Sequence, residues 1–288
     1  MKPIQKSFAA SSLFPFEIVY KDSKSLQREL PFHYHEWYEL IYVYDGEGTF
    51  LVDQSIQLMQ AGDLFVIPSN IIHRALPSKD NPVTSTAVFF HPVFVQDRFL
   101  GDSFHFLQLF ETCLQQKSYT YQLDETQQQA VINELDSIQT EITEKKAGYK
   151  HATLIHLQKL LLFINREWPR SNPSSTAPLP HTAPGWMNDI LSFIETQDLS
   201  NLSLSTLAKY GNVSTAHLSR VFKKTTGLKM SEYIMTKKIL KAKKMLLGSN
   251  LTVEAIAREC GFESLPYFHR TFKKYSGLTP SRFRKQHW

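Results

Sequence analysis

Residues 214–233 read STAHLSRVFKKTTGLKMSEY, and residues 264–283 read SLPYFHRTFKKYSGLTPSRF. Eight of the twenty positions agree without a gap: Ser214/Ser264, Arg220/Arg270, Phe222/Phe272, Lys223/Lys273, Lys224/Lys274, Gly227/Gly277, Leu228/Leu278 and Ser231/Ser281. The second stretch is therefore a copy of the first, and an internal repeat outranks any local motif. Each copy follows a short apolar helical pattern and a turn. In the first, Leu204, Leu207 and Ala208 precede Gly211-Asn212-Val213; in the second, Val253, Ile256 and Ala257 precede Gly261-Phe262-Glu263. Ser214 and Ser264 are expected N-caps, because a seryl oxygen accepts from an orphan amide of the first turn. A short helix, a tight turn with glycine and a capped basic helix make the helix-turn-helix plan, expected at about 204–226 and again at about 252–275.

In both second helices Leu218, Phe222, Phe268 and Phe272 lie on the face that must be buried. The opposite face presents Thr215, Ala216, Ser219, Arg220 and Lys223 in one copy, and Leu265, Pro266, His269, Arg270 and Lys273 in the other. An arginine can donate two hydrogen bonds to O6 and N7 of guanine in the major groove. Ala216, Ser219, Arg220, Leu265, Pro266, His269 and Arg270 are accordingly expected to read bases. Lys223, Lys224, Lys273 and Lys274, further along, are expected to meet phosphates, which adds affinity without sequence information. Between the copies, Met235, Ile239, Ala242 and Leu246 mark one helix over 232–247, surrounded by Lys237, Lys238, Lys241, Lys243 and Lys244. At 1.5 Å per residue it spans about 24 Å, enough with its flanking units to set two recognition helices roughly 34 Å, one DNA turn, apart.

Charge divides along the same line. The 288 residues carry +5 in all. From Trp186 onward, however, 17 Lys and Arg face 7 Asp and Glu, a net +10, which leaves −5 on the preceding part. A basic third attached to an acidic remainder points to a polyanion partner for that third alone. With 42% hydrophobic and 20% charged residues, disordered and collagen-like classes drop out. The longest apolar run, Leu160–Ile164, is far below the ~18 residues of a membrane-spanning helix. Ser11, Ser12 and Pro15 interrupt the apolar stretch a signal peptide needs. Cys113 and Cys260 are too few for a disulfide framework, so the expected location is a reducing cytoplasm.

Residues 169–184 read PRSNPSSTAPLPHTAP, an expected extended linker. Before it, Tyr38–Tyr44, Thr49–Val52, Ile56–Met59, Leu64–Ile67 and Thr84–Phe90 are expected strands of a small sandwich or barrel. Asp45-Gly46-Glu47-Gly48 is expected to close a hairpin. The period then turns helical: Val131, Leu135, Ile138 and Ile142 mark one helix, and Leu154, Leu157, Leu161, Ile164 and Trp168 a second, with a break near Gly148. The heptad-like second stripe fits either a dimer seam or packing on its own barrel. The expected division is thus 1–105 for the sensing domain, 106–168 for a helical region, 169–184 for the linker and 185–288 for the DNA-binding domain.

The run Gly261-Phe262, Phe268, Arg270-Thr271-Phe272-Lys273-Lys274, Gly277-Leu278-Thr279-Pro280 and Phe283-Arg284 resembles the AraC/XylS family of bacterial transcription regulators. The resemblance implies a seven-helix domain with two helix-turn-helix units that binds double-stranded promoter DNA and commonly activates transcription through RNA polymerase. A homodimer responding to a small-molecule effector such as a sugar is the expected working form. Leu265 and Pro266 depart from the polar residues usual at those reading positions, although proline fits a first helical turn and leucine can meet a thymine methyl.

His33-Tyr34-His35, Glu39 and Gly46, then Gly62, Pro68 and His73, resemble the two-part motif of the cupin barrel. In cupin enzymes the corresponding three histidines and glutamate hold Fe, Mn, Ni or Zn. Asn70 stands where that pattern has glycine, and Pro77 where it has asparagine. Three roles remain open for His33, His35, Glu39 and His73: a divalent metal, polar contacts to an effector, or structural hydrogen bonds. The fold expected is multidomain α and β, a cupin-like β-barrel with appended helices followed by an all-α domain with two helix-turn-helix units. The function expected is that of a non-enzymatic DNA-binding transcription regulator; the alternative is a metal-dependent cupin enzyme, an isomerase or dioxygenase, with an accessory DNA-binding domain.

Overall fold

A computed structural model of the chain describes residues 3–6, 8, 14–24, 30–53, 55–95, 104–168, 185–197, 202–226 and 228–286. The expected linker at 169–184 and Gly227 of the repeat lie outside the described residues. The N-terminal part builds two five-stranded sheets. Its strands are β1 (Ile4–Gln5), β2 (Phe16–Lys24), β3 (His33–Tyr34), β4 (Tyr38–Asp45), β5 (Gly48–Val52), β6 (Ser55–Met59), β7 (Asp63–Ile67), β8 (His73–Pro77), β9 (Val83–Phe90) and β10 (Thr120–Gln122). The first sheet has the order β1-β3-β8-β5-β6 and the second β10-β7-β4-β9-β2. All pairings are antiparallel except β1 with β3.

The second sheet is covered twice. One face packs on the first sheet, and the other takes α1 (Gln108–Gln116), α2 (Glu125–Glu144) and α3 (Tyr149–Glu167). That is why β7, with the apolar run Leu64–Ile67, is buried along its whole length rather than alternating. Helix α2 opens on a capping box between Asp124 and Gln127, and α3 follows Gly148. The expected boundary at 105/106 does not separate two bodies. Beyond it, β10 returns to pair with β7, and α2 and α3 share one core with the strands. Leu157 and Leu161 of the heptad-like stripe are fully buried in this single chain, so the stripe is internal core and the dimer-seam reading fails.

Asp45–Gly48 does not close a hairpin either. Strand β4 belongs to the second sheet and β5 to the first, so the turn carries the chain between sheets. Gly46 is required there twice over: its φ is +85°, and a Cβ would lie 2.2 Å from the carbonyl oxygen of Pro82.

The C-terminal part consists of α4 (Gly185–Thr196), α5 (Leu204–Tyr210), α6 (Thr215–Thr226), α7 (Met230–Gly248), α8 (Val253–Glu259), α9 (Leu265–Ser276) and α10 (Pro280–Gln286). Helices α5–α6 and α8–α9 are the two helix-turn-helix units, and α7 joins them. No helix among the described residues is long and apolar enough to cross a membrane. Ser214 and Ser264 cap α6 and α9 through the amides of His217 and Tyr267. The turns are aligned one residue away from the expected match. Asn212 (φ 51°) and Gly261 (φ 70°) hold the equivalent left-handed position, as the paired bonds Val213 N–H to Ala208 and Phe262 N–H to Ala257 show. The second turn therefore has one extra residue, Glu263. Asparagine and glycine are the types that enter this conformation readily.

The first helix-turn-helix unit does not own its core. Met187, Ile190, Leu207, Leu218, Phe222 and Tyr233 pack in one cluster with Leu51 and Ile56 of the first sheet and with Phe32 and Ile72, which lead into β3 and β8. The second unit has a separate core around Ile239, Ile256, Phe268 and Phe272. Asp53, in the tight β5–β6 connection with φ 53°, clasps α7. Its carbonyl accepts from the Tyr233 hydroxyl at 2.7 Å, and its carboxylate pairs with Lys237 and accepts from Tyr119. Lys243, one of the lysines that surround the apolar stripe of α7, is 3% exposed and reaches Glu36 at 3.4 Å and Gln5 at 3.3 Å.

Leu157→Ala is expected to lower stability by about 2–5 kcal/mol, the cost of a cavity in a packed core. Denaturant melts should show this loss, while sedimentation shows the same association state as the parent chain.

Candidate functional site

Four residues on or beside three strands meet between the sheets. His33 lies in β3 with His35 just beyond it, His73 lies in β8, and Glu39 lies in the central strand β4 of the opposite sheet. Strand alternation carries Glu39 into the core, where all four are buried. Their candidate ligand atoms lie within 4.8 Å of one another. Glu39 Oε2 is 2.9 Å from His35 Nε2 and 3.1 Å from His73 Nε2. The rings of His33 and His73 stand edge to face at 4.2 Å.

The other ring nitrogens settle the tautomers. Nδ1 of His33 faces the carbonyl of Pro31 at 3.0 Å, that of His35 the carbonyl of Trp37 at 2.7 Å, and that of His73 the carbonyl of Ile71 at 2.9 Å. A carbonyl oxygen only accepts, so each Nδ1 carries the proton. Burial lowers the pKa of His35 and takes that of His33 well below the usual histidine value, which favours neutral rings. Burial pushes the Glu39 carboxyl upward, but the adjoining His35 and His73 outweigh this and hold it well below the usual range.

A neutral ring protonated at Nδ1 turns a lone pair on Nε2 toward the carboxylate. Lone pair would face lone pair at hydrogen-bond distance, and the His73 Nε2 atom, although near Glu39, makes no hydrogen bond of acceptable angle. Three imidazole nitrogens and one carboxylate oxygen in this state form a donor set suited to a divalent first-row metal, with backbone carbonyls fixing each ring from behind. The residues fit such an ion, and His33, His35, Glu39 and His73 would hold it.

A cavity of about 180 Å³ adjoins the cluster, lined by His33, Glu39 and His73, by Lys6 and Asp22, and by apolar groups including Ile41, Phe50 and Phe89. At ~30 Å³ per water it has room for a handful of waters or one small polar molecule. Asn70 has φ 60°, the left-handed conformation that explains how asparagine serves where the related motif has glycine.

The expected DNA-facing residues lie together on the two recognition helices. Ser219 and His269 are half-buried; Ala216, Arg220, Lys223, Lys224, Leu265, Pro266, Arg270, Lys273 and Lys274 are exposed. Leu218, Phe222, Phe268 and Phe272 are fully buried and anchor the opposite faces. Arg220 is 3.2 Å from His217 Nδ1, and the Arg270 guanidinium lies 5.7 Å from the Tyr267 ring, so a neighbour one turn back orients each arginine. Sequence spacing missed Tyr267 and His217. Tyr267 is 41% exposed for an aromatic residue beside an arginine, and the pair Tyr267/Arg270 at i, i+3 was the available signal.

A domain with a ligand-sized cavity of mixed polar and apolar lining, joined to two helix-turn-helix units, defines a DNA-binding regulator. Residues 17–161 match the AraC-like ligand binding domain and residues 207–286 a helix-turn-helix domain. The chain belongs to the AraC family of helix-turn-helix transcription regulators. It is 26% identical over 255 residues to the HTH-type transcriptional regulator YfiF of Bacillus subtilis, covering 88% of this chain and 78% of that protein. It is 24% identical over 249 residues to the Msm operon regulatory protein of Streptococcus mutans, covering 86% and 84%. Among solved structures, the C-terminal domain of the response regulator yesN from Fusobacterium nucleatum is 38% identical, with 33% of this chain and 93% of that one covered and a TM-score of 0.32.

Glu39→Gln separates a metal site from a structural network. The amide can donate to an imidazole lone pair, so the metal-free variant, melted in the presence of a chelator, is expected to gain about 1 kcal/mol over the parent chain. Added Zn(II) should raise the melting temperature of the parent chain and not of the variant. A variant less stable than its parent in chelator would show that the carboxylate is a structural acceptor.

Proposed function

We propose that the chain regulates transcription from promoter DNA in response to the state of its His/Glu cluster. The N-terminal domain holds a divalent cation through His33, His35, Glu39 and His73 and offers the adjoining cavity to a small polar effector. The observation that carries this reading is the convergence of three buried histidines and one buried carboxylate, with candidate ligand atoms within 4.8 Å of one another, beside that cavity. When bound, the ion would supply a positive charge and open coordination to an effector's oxygen atoms. Lys6 and Asp22, of opposite sign, would orient its polar groups, and Ile41, Phe50 and Phe89 would exclude water.

The two recognition helices read the operator as one unit. Arg220 and Arg270 address base edges, aided by Ala216, Ser219, Leu265, Pro266 and His269, while Lys223, Lys224, Lys273 and Lys274 hold phosphates. Helix α7, with 19 residues and about 28 Å of length, supports their placement in successive major grooves. Activation rather than repression is supported by the 38% identity over 98 residues to the HTH-type transcriptional activator AarP of Providencia stuartii. Family membership favours regulation over an isomerase or dioxygenase, and work on promoter DNA favours the cytoplasm.

On a duplex recovered by selection from random sequence, Arg270→Ala is expected to cost about 1–3 kcal/mol and to relax one base position. Lys273→Ala should weaken selected and random duplexes alike and reduce the slope of affinity against salt by about one. Equal losses on both duplexes for Arg270→Ala would remove it as a base reader; binding titrations at several salt concentrations give the answer.

A further inference from the structure

Two strands of the first sheet carry the cluster on one face and the DNA-binding domain on the other. In β3, His33 turns to the cluster, while Tyr34 donates its hydroxyl to the carbonyl of Tyr275 at 3.2 Å. In β8, His73 turns to the cluster, while Arg74 donates from Nη1 to the carbonyl of Thr226 at 3.0 Å. Strand geometry imposes this division, because successive side chains point to opposite faces. The two strands are antiparallel partners in the register His33 with His73, so Arg74 falls opposite Phe32, whose ring lies 6.0 Å from its guanidinium, and Tyr34 and Arg74 leave the sheet on opposite sides of the histidine pair.

The two acceptors sit at matching ends of the repeat. Thr226 closes α6 and Tyr275 is the penultimate residue of α9. The Thr226 hydroxyl bonds the carbonyl of Phe222 and receives the Leu228 amide, just as the Ser276 hydroxyl bonds Phe272 and receives Leu278. The last carbonyls of a helix lack partners within it, so a donor from outside is effective there. The charge of Arg74 also suits the negative end of α6. Lys243 of α7 supports β3 from the same side, with its ammonium 5.4 Å from the Tyr34 ring and 3.4 Å from Glu36.

We propose that β3 and β8 are two separate lines of communication: His33–Tyr34 runs from the cluster to the second recognition helix, and His73–Arg74 runs to the first. Tyr34 and Arg74 are positioning residues that contact neither effector nor DNA. A change in how the imidazoles are gathered passes to both helix ends, because His33 and His73 touch edge to face and each continues directly into its own strand. The state of the cluster thereby sets the relative orientation of the two reading heads. This rests on the reading of the cluster as the sensing site only for its trigger; the lines themselves are properties of the strands.

Hydrogen–deuterium exchange on the full chain, resolved to the ends of α6 and α9, tests the assignment. Tyr34→Phe and His33→Gln are expected to speed exchange at Ser276–Leu278 by about two- to tenfold, the worth of one hydrogen bond, while Thr226 and Leu228 stay as in the parent. Arg74→Met and His73→Gln should do the reverse. Both ends loosening alike in every variant, or neither end responding, overturns the two lines. Tyr34→Phe and Arg74→Met keep most of their side-chain bulk, so the outer half of each line is tested even where a histidine variant does not fold. Zn(II) titration of the parent chain separates the two readings. Failure of Zn(II) to bind alongside end-specific exchange removes the cation and leaves the lines, whereas Zn(II) binding with no end-specific exchange does the opposite.

Discussion

Two recognition helices encoded fifty residues apart end on the same β-sheet, and this shared anchorage makes two reading heads into one reader. The contact is more than a pair of hydrogen bonds. Phe32, Leu51, Ile56 and Ile72 complete the core of the first unit, and Asp53 clasps the joining helix through Tyr233 and Lys237. Net, each hydrogen bond is worth only about 0.5–1.5 kcal/mol, so the apolar cluster supplies most of the docking energy and the polar contacts fix its register. The faces proposed to meet DNA remain outside the contact: Arg220, Arg270 and the Lys223/Lys224 and Lys273/Lys274 pairs are exposed. The N-terminal domain thus holds the heads from behind and leaves the DNA side open.

The opposite charges of the two parts acquire a second meaning from this arrangement. The acidic N-terminal part sends Asp53 and Glu36 to two lysines of α7, so some of the basic surplus serves the chain itself. What is left on the recognition helices faces outward for a polyanion. Burial lowers the pKa of Lys243 despite the opposing pull of Glu36, as expected for an ammonium taken out of water.

The helix-turn-helix units were legible because the repeat is ungapped through the recognition helices and because core and exposed positions recur at helical spacing. The cluster was legible because His33, His35, Glu39 and His73 keep a spacing that strand alternation converts into one site. The turn alignment was not: Gly211 and Gly261 share a residue type but not a conformation, and only backbone bonds reveal the extra Glu263. A two-residue strand such as β3 carries no detectable period, so its pairing with β8 was invisible. The inward turn of Lys237 and Lys243 depends on acids 184 and 207 positions away, which no local pattern encodes. The heptad-like stripe of α3 left two partners open, and burial within the chain decided between them.

The central claim is that one chain reads two successive major grooves with heads held at a fixed spacing by the sheet. Hydroxyl-radical footprinting of the full chain on a selected duplex tests it most directly. The account predicts two protected patches on one face of the DNA, about one helical turn or roughly 34 Å apart, at one chain per site. A single protected patch per chain, or two patches whose spacing varies freely between selected sites, would contradict it.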